Sequence, residues 1–260
     1  MSGRKFLVAA STLIYFFLML PLLVVFPISL SSAPYMQFPP PGFSWQWYER
    51  YFADPQWMDA TVRSLQIGFA TAVLALLLGV PLSFALVRGK FPARQLLDRL
   101  TMAPIVVPTI IFSVAIYGLF AKMKLIGEWY GLALAHTVLA LPFVVLVMIA
   151  GLRDFDRALE LAAEGLGASR VQTLWRITLP ILRPSLISAG LLAFISSFDE
   201  VVVALFLAGA RMTLPKKMFD NILMEIDPTI AAVSVMQILL VAVVLFLIGR
   251  FGRGLSAAAH

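Results

Sequence analysis

The sequence predicts an all-α integral membrane protein: six transmembrane helices, with a cytoplasmic helix-turn-helix between the fourth and fifth. Three observations carry this reading. Of 260 residues, 61% are hydrophobic and the mean hydropathy is +0.93, which is more apolar surface than a soluble domain of that size buries. Uncharged runs long enough to cross a hydrocarbon core of about 30 Å recur along the chain. One long polar stretch, Arg153 to Pro184, interrupts its second half. Spans are expected at about 6–30, 62–88, 100–121, 129–152, 183–208 and 228–250, with the loop at 153–182, all in a single transmembrane domain covering 1–260.

Phe6 to Leu30 carries no charge and as a helix would reach about 37 Å at 1.5 Å per residue. Arg4 and Lys5 before it and Ser31-Ser32-Ala33 after it also fit a cleavable signal peptide. The apolar region of such a signal is usually about 7–15 residues, so a retained first helix is expected. Ser31 to Met58 is rich in Pro34, Pro39, Pro40, Pro41, Trp45, Trp47, Tyr48 and Trp57. It should lie outside the bilayer core, its tryptophans acting as interfacial anchors more readily than as a docking surface for a soluble partner.

Ser64 to Val87, Leu100 to Ala121, Trp129 to Leu152 and Pro228 to Gly249 are uncharged runs of 22 to 24 residues, each long enough to span. Pro81, Pro104, Pro108 and Pro142 lie inside spans and should kink them. Between Pro184 and Ala210 an apolar segment is interrupted by Asp199 and Glu200. With the N-terminus inside, thirteen Lys and Arg fall on the cytoplasmic side, Arg250 and Arg253 among them, and seven on the other, so the positive-inside rule puts both termini and the 153–182 loop in the cytoplasm. The net charge of +6 therefore reports topology and not nucleic acid.

Within the loop, Leu159, Ala162, Ala163 and Leu166 recur at i, i+3, i+4 and i+7, one face of a short amphipathic helix. Gly165 and Gly167 follow, Gly167 being the better candidate for the left-handed C′ position. Ser169 with Gln172 is a capping-box pattern, and Val171, Leu174, Trp175 and Thr178 continue a second helix until Pro180 and Pro184 end it.

Ala162-Ala163, then Gly167, then nine residues, then Ile177-x-Leu179-Pro180 resembles the EAA loop of binding-protein-dependent (type I) ABC importer permeases. In that family the loop is the cytoplasmic helix-turn-helix inserted into a cleft of the ATPase. The resemblance implies that Glu160, Ala162, Ala163, Gly167, Ala168, Ile177, Leu179 and Pro180 couple to such a subunit. One departure stands out: the family's acidic residue falls at Leu161, with Glu160 one place earlier and so turned by about 100°. The run from Ile177 to Gly209, with LPKKMF and DPTIAAVSVMQILL after it, is similar to the second permease of the spermidine/putrescine branch, and the likeness extends back to about Trp45. It implies a second permease subunit, an ATP-binding subunit dimer, an extracytoplasmic solute-binding protein and a place in the bacterial inner membrane. ATP and Mg would sit on the partner ATPase, with no cofactor on this chain.

No chemistry of its own is legible. Gly89-Lys90 lacks the earlier glycine and the following Ser/Thr of a P-loop, and two histidines, His136 and His260, exclude a His-Glu-x-x-His zinc site. No cysteine and no G-x-S-x-G elbow occur. His136 reads as a polar packing or pathway residue. The remaining candidates for a solute path are Asp199 and Glu200, with Ser196 and Ser197 a turn below and Thr109, Ser113 and Tyr117 along the third helix. On a continuous helix from Pro184 the two acids would stand about 22–24 Å in, facing an interior or pairing with Arg211, Lys216 or Lys217.

The leading expectation is a non-catalytic permease subunit of an ATP-driven importer, of the putrescine/spermidine type. The same importer class for another small solute, such as an amino acid or aminophosphonate, is the alternative. A membrane enzyme using Asp199 and Glu200 is disfavoured because neighbours on a helix diverge, and a free-standing secondary transporter leaves the loop without a role.

Overall fold

The computed structural model describes residues 2–224 and 226–252; Arg253 and His260 lie outside the described residues. Among the described residues the regular structure is helical, apart from one isolated bridge between Ser31 and Phe43. The chain forms two compact units, one of residues up to Asp59 with Lys217–Ala242, the other of Ala60–Lys216 with the residues from Val243 onward.

The first unit starts with α1 (Ser2–Ser29), apolar on all sides and exposed along much of its length, Leu7 at 65% and Phe17 at 72%. Lipid is the solvent such a surface requires. Beyond it the chain folds back through α2 (Gln46–Ala53). Trp47 Nε1–H donates to the Ser31 carbonyl at 2.7 Å, and the Tyr48 and Ser29 hydroxyls lie 2.9 Å apart. Lys217, on α12 (Leu214–Met224), donates to Gln56 Oε1 at 2.9 Å with its ammonium 4.8 Å from the Trp57 ring centroid. Arg50 pairs with Asp227 at 3.2 Å, and Asp227 in turn accepts the Thr229 amide at 2.8 Å ahead of α13 (Thr229–Gly252).

This corrects the reading of the tryptophans of residues 31–58 as membrane anchors: Trp47 and Trp57 are core residues, 6% and 2% exposed, and of these three Trp45 alone, at 66%, is open. An irregular segment must satisfy its carbonyls and fill its own interior, and an indole does both.

The second unit is built on α3 (Pro55–Arg88, from Ala60 on), α6 (Trp129–Asp154) and α10 (Arg183–Phe198). Ala75, Ala140, Val144, Met148, Ala189 and Ala193 form a core of mostly small side chains. Gly79 is required where α3 meets α6, since a Cβ there would lie 2.6 Å from Val144 Cγ1. A second cluster joins Ile67, Leu132, Ala133 and Ala135 to Val203, Ala204 and Leu207 of α11 (Val202–Leu207).

Among the described residues four helices are long and apolar enough to cross a membrane: Lys5–Ser29, Pro55–Arg88, Trp129–Asp154 and Thr229–Leu247. The segment read as a third span is two helices, α4 (Arg94–Val106) and α5 (Thr109–Lys122), bent by 106°. Pro108 has no N–H for the preceding turn, and Val107 before it adopts the extended conformation a following proline imposes, φ −76° and ψ 123°. The span read at 183–208 is likewise interrupted, α10 stopping at Phe198 and α11 starting at Val202, so Asp199 and Glu200 stand in a break and not on a continuous helix.

Candidate functional site

The polar loop folds as α7 (Ala158–Gly165), a turn, then α8 (Arg170–Thr173). The turn is a Schellman motif: the Gly167 amide donates to Glu164 O at 3.0 Å and the Ala168 amide to Ala163 O at 3.0 Å, with Gly167 at φ +91°. Among the described residues, apart from the glycine and its two chain neighbours, no heavy atom lies within 4 Å of where a Gly167 Cβ would stand. The glycine is there for its backbone conformation and not to let the helices approach closely. Both halves of the capping box form, Gln172 N–H to Ser169 Oγ at 3.3 Å and Ser169 N–H to Gln172 Oε1 at 2.9 Å.

Past Thr173 the helix loosens into a π-turn at Leu174–Thr178 and runs on through α9 (Leu179–Ile181). Pro180 therefore does not end it. The helical path continues to Leu182 and turns by 69° into α10, where Pro184 occupies the first turn, a position that needs no amide hydrogen.

The amphipathic stripe points outward. Leu159 is 46% exposed and Leu166 91%; Leu161, about 200° round the helix from Leu159, is also open at 62%, and Val171 and Trp175 extend the same apolar, open character onto the second helix. Ala162 is exposed and Ala163 and Ala168 are half-buried. Ile177 packs on the core cluster, Leu179 is half-buried and Pro180 is exposed. Glu160 points the other way. It is buried, with both carboxylate oxygens 2.8 Å from Arg88 Nη1 and a hydrogen bond from the Thr178 hydroxyl.

The proposed path residues do not share one environment. Asp199 is exposed and ends α10, whereas Glu200 turns back so that Oε1 accepts the Val203 amide at 3.0 Å. Neither is in an ion pair among the described residues. Lys217, one candidate partner, is engaged with Gln56 and Trp57. Ser196 is half-buried, but Ser197 is buried and bridges α10 to α6 and α3, 2.8 Å from His136 Nδ1 and donating to Thr71 Oγ1 at 3.2 Å. On α5, Ser113 is buried and bonds back to Thr109 O at 2.8 Å, while Tyr117 is 45% exposed and Thr109 half-buried.

Residues 74–257 match the family described as binding-protein-dependent transport system inner membrane component. The chain belongs to this family. It is a membrane permease of an ABC importer, a transport subunit and not an enzyme. It is similar to the spermidine/putrescine transport system permease protein PotC of Haemophilus influenzae, 32% identical with 87% of this chain and 88% of that one covered. It is also similar to the putrescine transport system permease protein PotI of Escherichia coli K12, 33% identical with 79% and 76% covered. Among solved structures, a bacterial ABC transporter involved in the import of the acidic polysaccharide alginate superposes with a TM-score of 0.73 at 20% identity, covering 96% of this chain and 97% of that one. That likeness shows the type I importer permease fold.

Two features of this permease escape sequence reasoning. Arg63, counted simply as a charge on the outer side, is buried in α3 and donates from Nη2 to the Gly127 carbonyl at 2.5 Å, tying the turn before α6 to α3. Glu160 escapes because the partner that turns it inward, Arg88, is 72 residues away. The signal for Arg63 was its place one residue before the uncharged run, where a charge needs a partner.

Proposed function

We propose that this permease is one of two membrane subunits of an ATP-driven importer for a polyamine of the putrescine/spermidine class. The observation that carries the coupling half is the set of exposed apolar side chains Leu161, Leu166, Val171 and Trp175 on a compact, doubly capped helix-turn-helix. Exposed apolar side chains on a polar loop fit a protein partner better than water, and the partner this reading assigns is an ATP-binding subunit, present as a dimer. A solute-binding protein on the opposite side delivers the solute. In this reading the loop and both termini are cytoplasmic, as the charge balance favours. In a chain without cysteine, Ser169→Cys should then label only from inside and Phe43→Cys only from outside.

The solute half rests on the polyamine names of PotC and PotI and on two acids in a helix break, neither of them in an ion pair among the described residues. In a path of low dielectric a carboxylate attracts a cation more strongly than in water. The test is uptake by the reconstituted importer with its own binding protein, comparing labelled putrescine and spermidine with an amino acid and an aminophosphonate. ATP-dependent polyamine uptake that weakens in Asp199→Asn is expected. Polyamine uptake absent in the parent, or unchanged in both Asp199→Asn and Glu200→Gln, contradicts the cation-selecting role.

A further inference from the structure

α7 has only eight residues, too few to hold together without tertiary contacts, and its apolar stripe faces away from the chain. Its polar link to the body is Glu160. The carboxylate is buried, both oxygens on Arg88 Nη1, with the Thr178 hydroxyl on Oε1. Arg88 is the last residue of the 34-residue α3, and its guanidinium lies 4.9 Å from the Phe84 ring centroid and 5.8 Å from that of Phe155, the residue at which α6 ends. Thr178 closes the π-turn leading into α10, and Ile177 beside it packs on the core. One ion pair therefore gathers the end of α3, the end of α6, the approach to α10 and the short α7.

We propose that Arg88 and Glu160, with Thr178, form the joint that passes displacement of the helix-turn-helix to the spanning helices, making both charged residues positioning residues for coupling. The proposal rests on the reading that the loop seats on an ATPase. A flexible contact would absorb a push on α7 locally. A charge pair whose carboxylate is buried and whose guanidinium is largely covered by Phe84 and Phe155 cannot slide without leaving the Glu160 charge unpaired, so it moves as a unit. The position of the family acid, Leu161, is 62% exposed, which separates the two tasks: the outer surface meets the partner and Glu160 holds the inside.

The test uses the assembled importer carrying Ser196→Cys, a half-buried position on α10 in a chain that otherwise lacks cysteine. The rate of maleimide labelling is compared without nucleotide and with vanadate-trapped ATP, so no solute need be known. In the parent, trapping should change the rate about threefold or more, and in Glu160→Gln and Arg88→Gln that response should be lost although the ATPase still co-purifies and hydrolyses ATP. The exchange Glu160→Arg with Arg88→Glu should bring the response back. An undiminished response in both single variants overturns the joint, as does a parent that binds the ATPase yet does not respond. A parent that recruits no ATPase overturns the underlying seating reading instead. Should a charge variant fail to insert, Thr178→Val, which keeps the ion pair, decides: a reduced response supports the joint and a parental one overturns it.

Discussion

Glu200 Oε1 accepts the amide hydrogen of Val203 at 3.0 Å, so this side chain caps the helix that follows it, while its neighbour Asp199 only closes the helix before it. The two acids thus divide structural and open roles. Glu200→Ala should lose about 1 kcal/mol, the usual worth of a helix cap, and lower the melting temperature of the purified permease by a few degrees. Glu200→Gln keeps an acceptor oxygen and should melt close to the parent. Asp199→Asn has no cap to lose and should also melt like the parent; a loss equal to that of Glu200→Ala would refute the division.

Gly167 at φ +91° with open space around it makes the penalty there conformational. Asn visits the left-handed region and should retain most ATP-coupled uptake. A β-branched Val should cost about 1–2 kcal/mol at the turn and abolish most of it. Gly167→Asp lies between by conformation but adds a charge to a surface assigned to a partner, so it should insert normally and lose stimulated ATP hydrolysis. Equal uptake by the Asn and Val variants would show that the turn geometry does not matter for coupling.

Trp47 and Trp45 offer a paired comparison in the first unit. Trp47→Phe leaves the Ser31 carbonyl with one donor fewer in a buried site, a loss of about 1–3 kcal/mol. Trp45→Phe, at an exposed position, should shift the melting temperature by no more than a surface substitution does. Equal shifts would mean that the indole hydrogen bond contributes little.

The local chemistry of the loop was legible in the sequence because it is local: Gly167, Ser169 and Gln172 meet partners within five residues, and their patterns name them. The apolar runs were equally legible, since bilayer thickness fixes their length. Their interruptions were less so. A hydropathy window does not distinguish one helix from two, and at Pro108 and at Asp199-Glu200 the backbone, not the polarity of the run, decides. Glu160 and Arg63 were out of reach for another reason. Each is turned inward by a group 72 or 64 residues distant, and nothing in the spacing of a single chain specifies such a pairing. Trp47 and Trp57 were misjudged because an aromatic residue near a span has the same composition signal whether it faces lipid or fills a small core.

Whether the exposed apolar side chains of the 153–182 loop seat on an ATP-hydrolysing subunit is read out by site-directed cross-linking. Leu161→Cys, 62% exposed in the free chain, would be treated with a short thiol-reactive photocross-linker in the assembled importer and the products separated by mass. An adduct between this permease and the ATPase is expected, formed equally from Leu166→Cys and absent from Phe43→Cys, which the proposed topology puts outside. No ATPase adduct from either loop position, in an importer that still contains the ATPase, would contradict it.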